Sequence, residues 1–366
     1  MRIVQVVSSY HPRVGGVETH VRQLAQGCAR AGDSVTVLTH EVAGRPAREW
    51  LAGVEVLRFP LALRSHAYPF SLRLHRYLRR HAADFDLVHA HNYHNLVAQA
   101  AAGAGLPFVF TPHYHGTGHS WLARAGHRLY RGPGGRLFTA ANAVICVSQP
   151  ELDLVRGHFP AAAGKAVVIP NGSDPGRPGL AGTSSRAGPP MVLTVGRLER
   201  YKNVDLIIEA VRALPAPAEL VIVGDGPDRP RLQRCASAAG PDCRVQFTGR
   251  VPDARLGQLL TQAVVISSAS DHEAFGLTLA EGLAAGARVV ASAIPAHAAF
   301  ARLAGPDAPV TLADPRDTSR FAAVLASALA AGRLAPASLS LPSWADVVEQ
   351  TRELYSRLEP ALAESA

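Results

Sequence analysis

Short apolar runs alternate with stretches of helical periodicity along most of this chain, and that alternation predicts its architecture. Runs at 3–7, 34–39, 54–59, 87–90, 108–111, 143–147 and 166–169 read as strands. After the first of them, Val17, Val21, Leu24, Ala25 and Cys28 recur at helical spacing and predict a helix with one buried face. Strand and helix in alternation imply βαβ units and a parallel sheet. Ser148-Gln149-Pro150-Glu151 has the form of a capping box with proline in the first turn, so a helix is expected to start there. After Pro170-Asn171-Gly172 the pattern stops. Residues 174–190 are rich in Gly, Pro and Ser, can bury little, and read as a linker. A second series follows, with strands at 191–195, 219–223, 244–248, 263–267, 288–291 and 310–312, and Val204, Ile207, Ile208 and Val211 marking its first helix. The prediction is two α/β domains of nucleotide-binding type, 1–173 and 191–342, joined by a hinge.

Composition agrees with that division. A chain of 366 residues is long for one hydrophobic core. Aromatic residues make only 6% against 48% hydrophobic, so the cores are expected to be built mainly from Ala, Val and Leu. Cys28, Cys146, Cys235 and Cys243 form no C-x-x-C pair and read as buried thiols in a reducing compartment, not as disulfides or zinc ligands. The chain enters a strand at once, with no charged and then apolar leader, and no apolar run approaches the roughly 18 residues of a membrane span. A cytoplasmic protein is expected.

The formal charge of +8 asks for an anionic partner or a solvated exterior. Much of the excess lies in Arg64, Arg73, Arg76, Arg79, Arg80, Arg124, Arg128, Arg131 and Arg136. No RNA-binding aromatic strand motif or zinc finger accompanies them, so nucleic acid is not the expected partner. Peripheral contact with the anionic inner face of a membrane remains as an expectation.

The candidate chemistry is concentrated at Glu273-Ala-Phe-Gly-Leu-Thr-Leu-Ala-Glu281, between two apolar runs. One carboxylate leaves a strand, the other lies inside the next helix, and Phe275-Gly276-Leu277 forms the turn between them. Free N–H groups and the dipole at a helix N-terminus attract a phosphate, and a helical carboxylate one turn further in can hold a hydroxylated group beside it. A diphosphate flanked by two polyols is a nucleotide sugar. Breaking a sugar–diphosphate bond leaves negative charge on the departing phosphate, which fixed cations stabilise. Arg197 and Lys202, five apart across a strand-to-helix loop, can both point at one such site. Gly15 and Gly16, at the first strand-to-helix turn, allow backbone to approach a ligand. Gly224-Asp225-Gly226-Pro227 is a further tight turn at a strand end.

Val195-Gly196-Arg197-Leu198, Lys202-Asn203, the two spaced glutamates and Gly15-Gly16-Val17-Glu18 together resemble the retaining glycosyltransferases of family 4, bacterial enzymes among them, and the resemblance covers nearly the whole chain. It implies the GT-B fold, two Rossmann-like domains facing each other across a cleft, with a last helix in 343–366 packing back on the N-terminal domain. It implies that Arg197 and Lys202 bind the diphosphate, Glu273 the donor sugar, Glu281 the ribose, and the loop containing Val251 the base, with Phe275, Gly276 and Leu277 completing the donor site. His113 would reach the donor sugar near the reacting carbon, making His113, Arg197, Lys202 and Glu273 the catalytic set. A UDP- or GDP-linked sugar would pass to a hydroxyl acceptor such as a lipid-linked glycan, a phospholipid or a small polyol, held by Tyr10, His11, Arg13, Tyr68 and Tyr114. No cofactor is implied. One departure stands out: 294–301 lacks the acidic residue that many relatives carry in the donor pocket.

The histidines open a rival reading. His89, His91 and His94, with His113, His115 and His119, are dense enough to suggest a metal, but ligands need convergent geometry, and no metal is expected. Two further rivals are a nucleotide-sugar epimerase of the same fold, which would need no acceptor, and a non-catalytic nucleic-acid-binding protein with steep salt dependence.

Overall fold

The computed structural model describes residues 1–366 except 14, 62–68, 94–95, 117–120, 174–187, 238–243, 335–340 and 359–366, and except the side chains of 121–129 and 131. Expectations that fall on Arg64, Tyr68, His94, His119, Arg124, Arg128, Arg131, Cys243 and most of the linker therefore lie outside the described residues. The chain divides into two compact units, Met1–Gly172 with Pro342–Ala366, and Ser173–Leu341.

The first unit runs β1 (Arg2–Val6), α1 (Gly16–Arg30), β2 (Ser34–His40), β3 (Arg48–Leu51), β4 (Val54–Phe59), α2 (Leu72–Arg80), β5 (Leu87–His91), α3 (Ala98–Ala102), β6 (Phe108–Thr111), α4 (Trp121–Ala140), β7 (Ala143–Cys146), α5 (Gln149–His158) and β8 (Ala166–Val168). Its sheet has the order β3-β4-β2-β1-β5-β6-β7-β8, parallel throughout except where β3 pairs with β4. The sequence pattern gave no hint of β3. Arg48-Glu49-Trp50-Leu51 is a charged edge strand without an apolar run, tied in by Arg48–Glu55 at 2.6 Å and by the buried Arg58 guanidinium on Glu49 at 2.5 Å. The core is largely aliphatic, with an aromatic cluster in which Tyr93, Tyr114, Phe138 and Phe159 pack edge to face and stacked.

The second unit runs β9 (Met191–Val195), α6 (Val204–Arg212), β10 (Glu219–Val223), α7 (Arg229–Ser237), β11 (Arg244–Gly249), α8 (Asp253–Gln262), β12 (Val265–Ser268), α9 (Leu277–Ala284), β13 (Arg288–Ser292), α10 (Pro295–Ala304), β14 (Val310–Ala313) and α11 (Thr318–Ala330). All pairs are parallel, in the order β11-β10-β9-β12-β13-β14. The order reverses between β9 and β12, and in doubly wound sheets ligands bind at the carboxyl ends of the strands flanking that reversal. The core here is aliphatic, led by Val192, Ile207, Ile208, Leu220 and Ile222.

One helix returns to the first unit. α12 (Trp344–Ser356) opens with a full capping box, in which the Ser343 hydroxyl accepts from the Asp346 N–H and the Asp346 carboxylate accepts from the Ser343 N–H. It packs on α1 at Gly27, where a Cβ would stand 2.3 Å from Val348 Cγ2. Arg352 donates to Asp33 at 2.6 Å, and the Tyr355 hydroxyl meets His89 Nδ1 at 2.6 Å. No helix among the described residues is long and apolar enough to cross a membrane.

Candidate active site

The reversal point of the second sheet carries the chemistry. Gly196 and Arg197 leave β9, and Ser268, Ser270 and Glu273 leave β12. These residues, with Lys202, Thr194 and Thr278, line one pocket. Lys202 Nζ donates to Glu273 Oε1, and the Ser270 hydroxyl donates to the same oxygen at 2.8 Å. Both side chains are about four-fifths covered, 19% and 21% exposed. Burial alone would raise the carboxyl pKa and lower that of the amine. Burial is the largest single influence on each, but the facing charge, the hydrogen bonds and the neighbouring charged groups together outweigh it, so Glu273 lies below the ordinary carboxylate value and Lys202 above the ordinary amine value. The site thus holds a fixed cation beside an ionised, acceptor-only carboxylate. Arg197 is different in kind. Its guanidinium is 65% exposed and bonded to Glu199 at 2.5 Å, a cation at the rim.

The loops that present these groups are stitched together by Asn203, which the sequence reading named only as the residue after Lys202, and by Asp271, which it did not single out. Asn203, left-handed at φ 46°, caps α6, and its side chain donates to Ala269 O at 3.0 Å and Asp271 Oδ1 at 2.9 Å. The Asp271 N–H donates back to Tyr201 O at 2.8 Å. The Lys202 turn and the Glu273 loop therefore move as one piece. The sequence signal for this role was the asparagine itself, a residue that tolerates the left-handed region, set just before a helical pattern. The Gly224-Asp225-Gly226 turn does more than connect: a Cβ at Gly224 would lie 1.9 Å from Gly196 O, so only glycine lets the β10 loop press against the loop of Arg197.

Gly276 caps α9 at φ 103°, and Glu281 sits half-buried one turn into that helix, outside the lining of the Lys202–Glu273 pocket. Phe275 and Leu277 point into the core, with Phe275 edge-on to Phe300, so only their backbone is available to a ligand. Val251 is half-buried after the turn at Gly249. Where 294–301 lacks an acidic residue, α10 supplies His297, fully buried, its Nδ1 donating to Ser292 O at 2.9 Å.

In the first unit, Gly15 precedes α1 and Gly16 begins it. His113 follows β6 at φ 48°, buried. Its loop is clamped by Glu151, whose two oxygens accept the Tyr114 N–H at 2.5 Å and the Val147 N–H at 2.6 Å. This differs from the expected capping box: Ser148 does accept from the Glu151 N–H at 3.3 Å, but the Glu151 carboxylate serves the neighbouring loops, and burial pushes it up to about 8. The acceptor candidates divide. Arg13 is exposed and His11 half-buried. Tyr114 is a core ring whose hydroxyl meets His158 Nδ1 at 2.8 Å, and Tyr10 is buried with its hydroxyl pushed up to about 12 by desolvation. Neither tyrosine side chain is presented to a ligand as expected.

The histidines converge, with a member the sequence reading missed. His89 is spent on structure, bonded to Tyr355 and to Thr111 Oγ1 at 2.8 Å. His20 from α1, His91 from the end of β5 and His113 bring one ring nitrogen each to within 4.8 Å of one another. Burial holds His20 near 4 and keeps His91 and His113 well below the ordinary histidine value, so all three are neutral at physiological pH.

Comparison with known proteins gives this geometry its context. Residues 14–177 match the model of Glycosyltransferase Family 4, and 181–335 that of Glycosyl transferases group 1. A glycogen synthase of Mycobacterium tuberculosis is 30% identical over 335 residues, covering 80% of this chain and 78% of its own. Among solved structures, sucrose-phosphate synthase from Thermosynechococcus elongatus superposes with a TM-score of 0.78 at 20% identity over 98% of this chain and 99% of its own. Anabaena HepE, in complex with UDP-glucose, gives 0.72 at 20% identity over 98% of this chain and 100% of its own. Since the two models meet the two sheets nearly unit for unit, and the superpositions share the architecture end to end, the chain belongs to the group 1, family 4 glycosyltransferases and has the GT-B fold.

Proposed function

We propose that the enzyme moves a sugar from a nucleoside diphosphate, UDP- or GDP-linked, to a hydroxyl acceptor with retention of anomeric configuration and without a metal. The observation that carries this is the Lys202–Glu273 pair at the reversal of the second sheet, with Arg197 on the same pocket. In the reaction, the bond from the anomeric carbon to the diphosphate oxygen breaks and the charge collects on the leaving phosphate, where Lys202 and Arg197 stabilise it. The acceptor oxygen bonds to the same face of that carbon, and its proton passes to a leaving phosphate oxygen. Glu273 accepts hydrogen bonds from sugar hydroxyls, Glu281 from the ribose, and His113 positions the sugar. A donor of this class is supported by HepE, which binds UDP-glucose.

The acceptor reading follows from α2. Leu74 and Leu78 face the core, whereas Leu72, Arg73, Arg76, Arg79 and Arg80 are exposed. A basic helix of this kind suits the anionic inner face of a membrane, and so a lipid-linked or phospholipid acceptor. A thermal-shift screen of UDP, GDP and ADP sugars tests the donor: a true donor at 100 times its dissociation constant adds about 2.7 kcal/mol. Turnover of the selected donor then separates transfer, which releases nucleotide, from epimerisation, which leaves the donor intact with an isomerised sugar.

A further inference from the structure

Among the buried side-chain nitrogens of the first unit that lack a hydrogen-bond partner, four belong to three histidines that face one another: Nε2 of His20, both nitrogens of His91, and Nε2 of His113. Buried polar atoms are ordinarily paired, so such a concentration needs a physical reason. The neighbours supply one. His20 Nδ1 lies 2.6 Å from Asn171 Oδ1; an amide oxygen can only accept, so Nδ1 carries the hydrogen and Nε2 carries the lone pair. This is how proteins prepare an imidazole for a metal, by fixing the tautomer through the opposite nitrogen. The ring of His20 is held edge-on by His91 at 5.4 Å, His113 at 5.0 Å and Trp344 at 5.8 Å. His89, both of whose nitrogens are bonded, backs His91 at 4.1 Å and stands outside the set.

We infer that His20, His91 and His113 form a binding site for one borderline-soft divalent cation of the zinc type. Three neutral imidazoles are a sufficient protein ligand set for zinc, and leave a fourth position for water or an anion. Imidazole donors without a carboxylate favour zinc, cobalt, nickel or copper over magnesium, calcium or manganese. The site is no source of charge for the proposed reaction, which draws its cations from Lys202 and Arg197. Its consequence is inhibitory: a metal on His113 removes that ring from the donor sugar. This consequence alone rests on the transferase reading; the binding site does not.

The test uses the full chain with any affinity tag removed. Titration with cobalt(II) should give one equivalent bound, with the intense visible bands of a low-coordinate histidine site, displaced by zinc. X-ray absorption on the zinc form should count three imidazoles. His91→Phe should abolish the bands. Asn171→Ala, which keeps every ligand, should weaken cobalt binding by about 10- to 100-fold, the usual effect of removing the partner that orients a ligand; it also guards against a His91 variant that does not fold. Wild-type protein that takes up no cobalt at micromolar concentration overturns the site, as does equal affinity in Asn171→Ala. In the activity arm, zinc should suppress transfer and a chelator should restore it. Bound zinc with undiminished transfer would leave the site standing and remove His113 from the reaction.

Discussion

Lys202 and Glu273 hold each other in the charged state, and that mutual dependence separates them from Arg197. Lys202→Ala removes the cation at the leaving group and strands a carboxylate that is four-fifths covered. It should lower turnover by roughly two to three orders of magnitude and stability by about 1–3 kcal/mol. Arg197→Ala should show a similar loss of turnover with stability within about 0.5 kcal/mol, because its guanidinium is exposed. Steady-state kinetics and urea midpoints on the two variants check the contrast. The pH dependence has a defined sign. Glu273, depressed on folding, contributes stability at pH above the ordinary 4.5 of a glutamate, and loses it as pH falls through its folded value. Lys202, raised on folding, contributes below 10.5 and loses it as pH rises through its own. The stability gap between wild type and Lys202→Ala should therefore be flat across neutral pH and close in acid. In the proposed function the two glutamates divide the donor between them. Glu281→Gln should weaken binding of the free nucleoside diphosphate, whereas Glu273→Gln should spare it and impair use of the intact sugar donor. Calorimetry with the nucleoside diphosphate alone decides, and equal losses would contradict the division.

At the scale of elements, the docking of α12 on α1 hinges on the hydrogen atom of Gly27. Gly27→Ala should cost about 1–3 kcal/mol through overpacking against Val348. In a double-mutant cycle Val348→Ala should recover part of that cost, and strict additivity would contradict the contact. Glu151→Ala should orphan two buried N–H groups beside His113, at about 1–3 kcal/mol each. These dependences show where sequence reading succeeds and fails. Buried parallel strands were legible because burial on both faces forces apolar runs, whether at Val192 and Leu193 or at Val88 and Ala90. The edge strand at Arg48 was not, since its pairing rests on ion pairs and its composition resembles a loop. Lys202 and Glu273 could be assigned to strand-to-helix junctions because each lies between an apolar run and the next helical pattern, and Glu281 to the helix that follows Glu273. The partnerships of His20 with Asn171 and of Asn203 with Ala269 join residues 151 and 66 positions apart, which no local pattern encodes. Tyr114 misled for the opposite reason: a tyrosine beside a site histidine is equally suited to the core.

For the whole molecule, the net charge of +8 and the exposed arginines of α2 predict adhesion to anionic vesicles. Replacing Arg73, Arg76, Arg79 and Arg80 with Gln should lose about 1 kcal/mol of vesicle affinity for each residue, and added salt should mimic the loss. Sedimentation with anionic and neutral vesicles measures both, and equal binding to the two would remove the membrane from the account. The central claim is that a protein-borne cation, not a metal, takes the charge of a departing nucleoside diphosphate during sugar transfer. Its most direct test is nucleoside diphosphate release from the donor selected by the thermal-shift screen, with excess chelator present, in wild type and Lys202→Ala. The account predicts that wild-type release survives chelation, depends on acceptor, and falls by roughly 100- to 1000-fold in the variant. Release that stops on chelation, or proceeds equally in both proteins, would contradict it.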